Sequence, residues 1–81
     1  MILEVSRGHI KVKTGDRTAT AQGEMFFPGN DKMGFVVYRN SMRFWDVPNQ
    51  YQIMTSEDID TVISDIQADF FRGGHTLEIE N

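Results

Sequence analysis

The sequence predicts an α+β fold: a mostly antiparallel sheet of four to five strands, with one C-terminal helix packed on it and a final strand after the helix. Three observations carry this. The N-terminal half breaks into short runs of alternating apolar and polar residues, separated by turn residues. Ile59, Val62, Ile63, Ile66 and Phe70 recur at the i, i+3, i+4, i+7, i+11 spacing of one helical stripe. After Gly73-Gly74, the run His75 to Glu80 alternates strictly, Leu77 and Ile79 against Thr76, Glu78 and Glu80.

Taken in order, Leu3 and Val5 share one parity and Ile10 and Val12 the other, so the inward phase slips by one residue; Gly8 is expected to absorb the slip as a bulge or kink. Thr14-Gly15-Asp16 separates His9–Lys13 from Arg17–Gln22, which reads as a hairpin with its basic face outward and the small residues Ala19 and Ala21 inward. Phe26 to Met33 carries Pro28-Gly29-Asn30-Asp31, a loop. Gly34 to Tyr38 is apolar on both parities, which predicts a central strand covered on both faces. A short turn at Arg39-Asn40-Ser41 leads into a returning run with Met42 and Phe44 on one face and Arg43 and Trp45 on the other. Asp46 to Gln52 is irregular, with Pro48 blocking continued pairing. The helix has the clearest boundaries. Thr55 caps it, Asp58 occupies the capping-box position, Met54 and Ile59 flank as a hydrophobic staple, and Gly73-Gly74 ends it.

A chain of 81 residues has material for one core, so residues 1–81 are read as a single domain. With 40% hydrophobic and 25% charged residues, disorder and coiled-coil classes lose their weight. No apolar run approaches the roughly 18 residues that span a bilayer. Met1-Ile2-Leu3-Glu4 meets a carboxylate too early for a secretory leader, so a soluble cytoplasmic protein with no membrane partner is expected. The absence of Cys removes disulfides, thiolate metal sites and a cysteine nucleophile together. His9 and His75 stand in no H-x-x-x-H or H-E-x-x-H spacing, and there is no glycine-rich phosphate loop or G-x-S-x-G elbow. Neither an enzyme nor a cofactor or metal site is therefore expected.

The net charge of −4 is unevenly placed. Residues 1–54 hold five acids and seven bases, whereas residues 55–81 hold seven acids and the single base Arg72. That asymmetry points to a cationic partner for the C-terminal third. Glu57, Asp58 and Asp60 lie near the helix start, where the macrodipole favours negative charge. Asp65 and Asp69 lie deeper and repel at i, i+4, so helix physics does not account for them. At about 100° per residue, Asp58, Asp65 and Asp69 fall within about 40° of one another beside the apolar stripe. They form an acidic ridge, which is either a solvated face or a surface for a basic protein. Trp45, the sole Trp, precedes Asp46 and Tyr51 and is either a plug under the connection into the helix or an interface anchor. The basic and aromatic residues Lys11, Lys13, Arg17 and Trp45, with Tyr38 and Phe44, offer an alternative platform for single-stranded nucleic acid, against which stands a pI near 4.9.

Across Gly34-Phe35-Val36-Val37-Tyr38-Arg39-Asn40-Ser41-Met42-Arg43-Phe44-Trp45-Asp46-Val47-Pro48, the chain resembles immunity protein family 74 of bacterial polymorphic toxin systems. The opening Val5 to Val12, the pair Gly23-Glu24, and the ending from Ala68-Asp69-Phe70 through Gly74 to Glu80 are similar as well. The resemblance implies a small cytoplasmic protein, encoded beside a toxin, that binds the toxin domain and keeps it inactive in the producing cell. It brings no catalytic residues. Joined to the charge pattern, it leads to a stoichiometric inhibitor whose toxin-binding residues are expected to be Trp45, Asp46, Tyr51, Asp58, Asp65 and Asp69. The same carboxylates would suit the basic substrate face of a nuclease.

Overall fold

The computed structural model describes residues 1–29 and 31–81. Five strands, β1 (Ile2–Val5), β2 (His9–Thr14), β3 (Arg17–Gly29), β4 (Lys32–Tyr38) and β5 (Thr76–Glu80), form one sheet in sequential order. A 3-10 turn (Arg39–Ser41) and helix α1 (Ser56–Gly73) lie between β4 and β5. The first three pairings are antiparallel. β5 runs parallel to β4, because the chain crosses over through α1 before returning. The expected mostly antiparallel sheet, single helix and final strand are all present.

One face of the sheet and one stripe of the helix make the core. Ile10, Val12, Ala19, Ala21, Phe35 and Val37 are fully buried, and they share it with Val62, Ile63, Ile66 and Phe70 of α1. The small Ala19 and Ala21 sit opposite Val12 and Ile10 in the register. The local cues at the helix hold. Thr55 Oγ1 accepts from the Asp58 N–H at 3.0 Å, Asp58 accepts from the Thr55 N–H at 3.0 Å, and Gly74 closes the helix in the left-handed region at φ 73°.

Three expectations are corrected. The phase slip is absorbed inside β1: Ile2 pairs with Val12 and Glu4 with Lys11, so Leu3 is the extra residue and stands exposed, while Ile2 and Val5 face the core. Gly8 lies instead in the β1–β2 connection, where its C=O accepts from the Gly23 N–H at 3.0 Å. The loop expected over Phe26–Met33 is much shorter. β3 runs to Gly29, which pairs with Lys32, and Pro28 falls in an irregular stretch between Phe26 and Gly29 that needs no amide donor. Asn30, in the same expected loop, lies outside the described residues.

β4 has no exposed residue from Gly34 to Tyr38: Phe35 and Val37 lie in the core, and on the other face Phe26 lies over Gly34 and leaves no room for a Cβ there. Finally, residues 42–45 are not a regular strand. Met42 and Trp45 are the buried pair, and Phe44 is exposed.

The thirteen-residue β3 sets up the site. Its first half, Arg17–Gln22, pairs with β2, and its second half, from Gly23, pairs with β4. At the changeover a Cβ on Gly23 would collide with the Val36 carbonyl and the Phe35 ring, so only glycine fits.

Candidate functional site

The half of β3 that β4 does not reach would otherwise expose its backbone on that side. Residues 41–46 fill the place. Ser41 Oγ accepts from the Gln22 N–H at 3.0 Å, and the Asp46 N–H donates to the Thr18 C=O at 2.8 Å. Thr20 donates its hydroxyl to Asp46 Oδ2 at 2.7 Å. The chain then doubles back: Phe44 bridges Ile53, the Trp45 N–H donates to the Gln52 C=O at 3.3 Å, and the Met54 N–H donates to the Arg43 C=O at 2.8 Å. The returning residues 52–54 thus stand outside 43–45 much as β5 stands outside β4.

Trp45 pins this loop. Its ring is only 2% exposed and belongs to the core cluster. The Arg17 guanidinium lies 4.0 Å above the ring centre. The same guanidinium donates to Gln52 Oε1 at 3.0 Å and stands 3.7 Å from Asp58 Oδ1, so one cation ties the β2–β3 hairpin, the loop and the helix start together. The indole N–H is buried and makes no full hydrogen bond. It lies near enough to Asp58 to favour the carboxylate slightly.

The Asp58 carboxyl is held below its ordinary value, first by the Thr55 backbone N–H, with the Thr55 hydroxyl, Arg17 and Trp45 adding to this and desolvation opposing it. A depressed carboxyl contributes stability above its unfolded-state pKa and loses it as pH falls through the folded-state value. Asp58→Asn is therefore expected to lower stability at neutral pH and to flatten its loss on acidification, as read from urea midpoints between about pH 6 and pH 2.

Above the pin, the loop exposes apolar side chains. Phe44 is 55% exposed, Val47 75%, Tyr51 89% and Ile53 70%, all within ten consecutive residues. Scattered exposed apolar residues are ordinary, but this many on one short loop are a concentration that packing within the chain does not explain. Beside it runs an open groove of about 700 Å³, lined by Leu3, Lys11, Thr18 and Thr20 of the sheet and by the loop from Trp45 to Gln50.

Of the six residues expected to bind a partner, Trp45, Asp46, Tyr51 and Asp58 belong to this loop and its anchorage, with Tyr51 the most exposed. Asp65 and Asp69 lie farther along α1, on the flank turned to the sheet. Asp65 Oδ2 accepts from the Thr14 hydroxyl at 2.7 Å, and Asp69 Oδ2 accepts from the Ile2 N–H at 2.8 Å while pairing with Arg72. Those contacts supply the structural reason that helix physics could not. The aromatic and basic platform is not assembled: Arg17 covers Trp45, which leaves no ring face for a base to stack on. Tyr38 lies among acids, its phenol held above its ordinary value by burial, then by Glu24 and Glu80.

Sequence reasoning offers Phe44 as a surface residue only in the nucleic-acid platform, and it misses Val47 and Ile53. The available signal was their occurrence in a stretch with neither helical nor strand periodicity, where apolar residues have no core face to occupy. Among the described residues, no three His, Asp or Glu side chains are grouped to hold a metal ion, and no helix is long and apolar enough to cross a membrane.

A family model described as Immunity protein 74 matches residues 2–80. No curated protein and no solved structure matches the chain.

Proposed function

Because the chain belongs to the Immunity protein 74 family, we propose that it binds one cognate toxin domain in the cytoplasm of the producing cell and neutralises it by occupancy, with no reaction of its own. The observation that carries this beyond the family is the concentration of exposed apolar side chains on one loop, Phe44, Val47, Tyr51 and Ile53 within ten consecutive residues. Tyr51 and Asp46 contact the toxin. Trp45 and Asp58 hold the loop from beneath, and Asp65 and Asp69, tied to Arg72 and, on the β1–β2 side of the sheet, to Thr14 and Ile2, contribute negative potential only at longer range. Glu57 at the start of α1 and Glu78 and Glu80 on β5 add exposed acid. Such a surface complements a toxin face that joins apolar and basic patches, the basic part being what a nuclease presents to phosphates.

The test is genetic. The toxic C-terminal domain encoded next to this chain is expressed from an inducible promoter with and without it. Growth is expected only when both are present. Unrelieved toxicity at equal expression would remove the immunity reading.

A further inference from the structure

The two edges of the sheet are treated differently. β1 is interrupted by the register break at Leu3, and its Ile2 N–H is taken up by Asp69. β5 has neither device. It pairs with β4 in unbroken register from Thr76 to Glu80, and among the described residues no hydrogen bond reaches its other side. Alternate backbone groups of a strand point to opposite sides, so the outer side of β5 presents free N–H and C=O groups over about 16 Å. Thr-Leu-Glu-Ile-Glu carries no proline, lysine or bulge; its one edge protection is the charge of Glu78 and Glu80, which repels a like-charged edge but not a cationic strand.

What β5 carries instead is negative charge. Glu78 and Glu80 are exposed, and neither has an ion-pair partner among the described residues. Glu24 and Glu80 stand beside Tyr38, whose phenol is held above its ordinary value first by burial and then by these two carboxylates, so acid also flanks the outer face of β4. Ile79 is 38% exposed between the two glutamates. Because residues 41–46 continue the place of β4 and residues 52–54 that of β5, the apolar pair Phe44 and Ile53 prolongs this same rim.

We propose that the free edge of β5 receives an extended segment of the toxin as a sixth strand, and that this segment bears Lys or Arg opposite Glu78 and Glu80. The proposal rests on the reading of the chain as a toxin-binding protein. Main-chain hydrogen bonds hold the added strand, and the glutamates select and steer it.

Amide hydrogen exchange tests it. The chain is compared alone and with the neighbouring toxin domain, made harmless by a substitution in its own catalytic centre; complex formation is followed separately by calorimetric titration. On binding, amides within Thr76–Glu80 are expected to gain at least about tenfold protection. Glu78→Lys with Glu80→Lys is expected to slow association about tenfold at low salt without changing the melting temperature. A complex that forms while β5 exchanges as in the free chain overturns strand addition but leaves toxin binding intact. Absence of any complex overturns both. Protection of β5 that appears in the free chain and grows with its concentration assigns the edge to a second copy, which also overturns the proposal.

Discussion

Replacing Trp45 with Ala is expected to remove about 3–5 kcal/mol of folding stability, the range for truncating a large buried aromatic. Typical domains have only about 5–15 kcal/mol in total, and one this small has a correspondingly limited core, so the variant should be substantially unfolded at physiological temperature. Trp45 is the largest fully buried side chain. Its removal would also leave the Arg17 guanidinium without the ring beneath it, with only Gln52 and a 3.7 Å approach to Asp58 to hold it. The indole N–H contributes little to the loss, because it makes no full hydrogen bond. Trp45→Phe should therefore be much milder than Trp45→Ala. Urea denaturation of the three proteins measures both differences. A loss below about 1 kcal/mol in Trp45→Ala would show that the loop is not pinned through this ring.

Truncating Tyr51 and Ile53 together to Ala should do the reverse, leaving the fold almost unchanged while weakening toxin binding. Both side chains project from the loop, at 89% and 70% exposure, so little packing is lost with them. Buried at the centre of an interface, each would cost about 2 kcal/mol or more on truncation. The pair should weaken binding by at least about a hundredfold, mostly through faster dissociation. Surface plasmon resonance of the inactivated toxin domain reads the effect, and a thermal melt confirms the fold. An unchanged dissociation rate would move the interface away from this loop.

How much of this was legible in the sequence depends on the distance between cue and partner. The helix could be read almost residue by residue, since Thr55, Asp58, the apolar stripe and Gly74 act within a few positions of one another. The β2–β3 hairpin was equally plain, with Gly15 supplying the positive φ of a two-residue turn between Thr14 and Arg17. Pro28-Gly29-Asn30-Asp31 marked a reversal correctly but not how far the flanking strands run, because turn chemistry constrains the turn and not the pairing around it. Parity reveals that a phase slips before Ile10 without revealing where, so the bulge falls at Leu3 and not at Gly8.

The site was harder, because its logic is long-range. The partners of Asp65 and Asp69 are 51 and 67 residues away in the chain, and no local pattern announces them. These two carboxylates looked available for a partner because helix physics offered no reason for them. Folded, they tie α1 to the start of β1 and the end of β2. A charge reversal there would disturb that attachment as well as the surface potential, so it is a poor probe of binding alone. The same applies to Trp45, whose place beneath Arg17 cannot be inferred from neighbours in sequence. Conversely, Phe44 and Ile53 become surface residues only because β3 outruns β4 and the loop is drawn in beside it.

On the proposed reading, this chain neutralises a toxin by direct, stoichiometric binding through the rim formed by the 44–53 loop and β5. Isothermal titration of the purified, inactivated toxin domain into the chain tests it most directly. A one-to-one complex is expected, with its affinity lowered at least about a hundredfold by the Tyr51 and Ile53 truncations. No binding, or full affinity in that double variant, would contradict it.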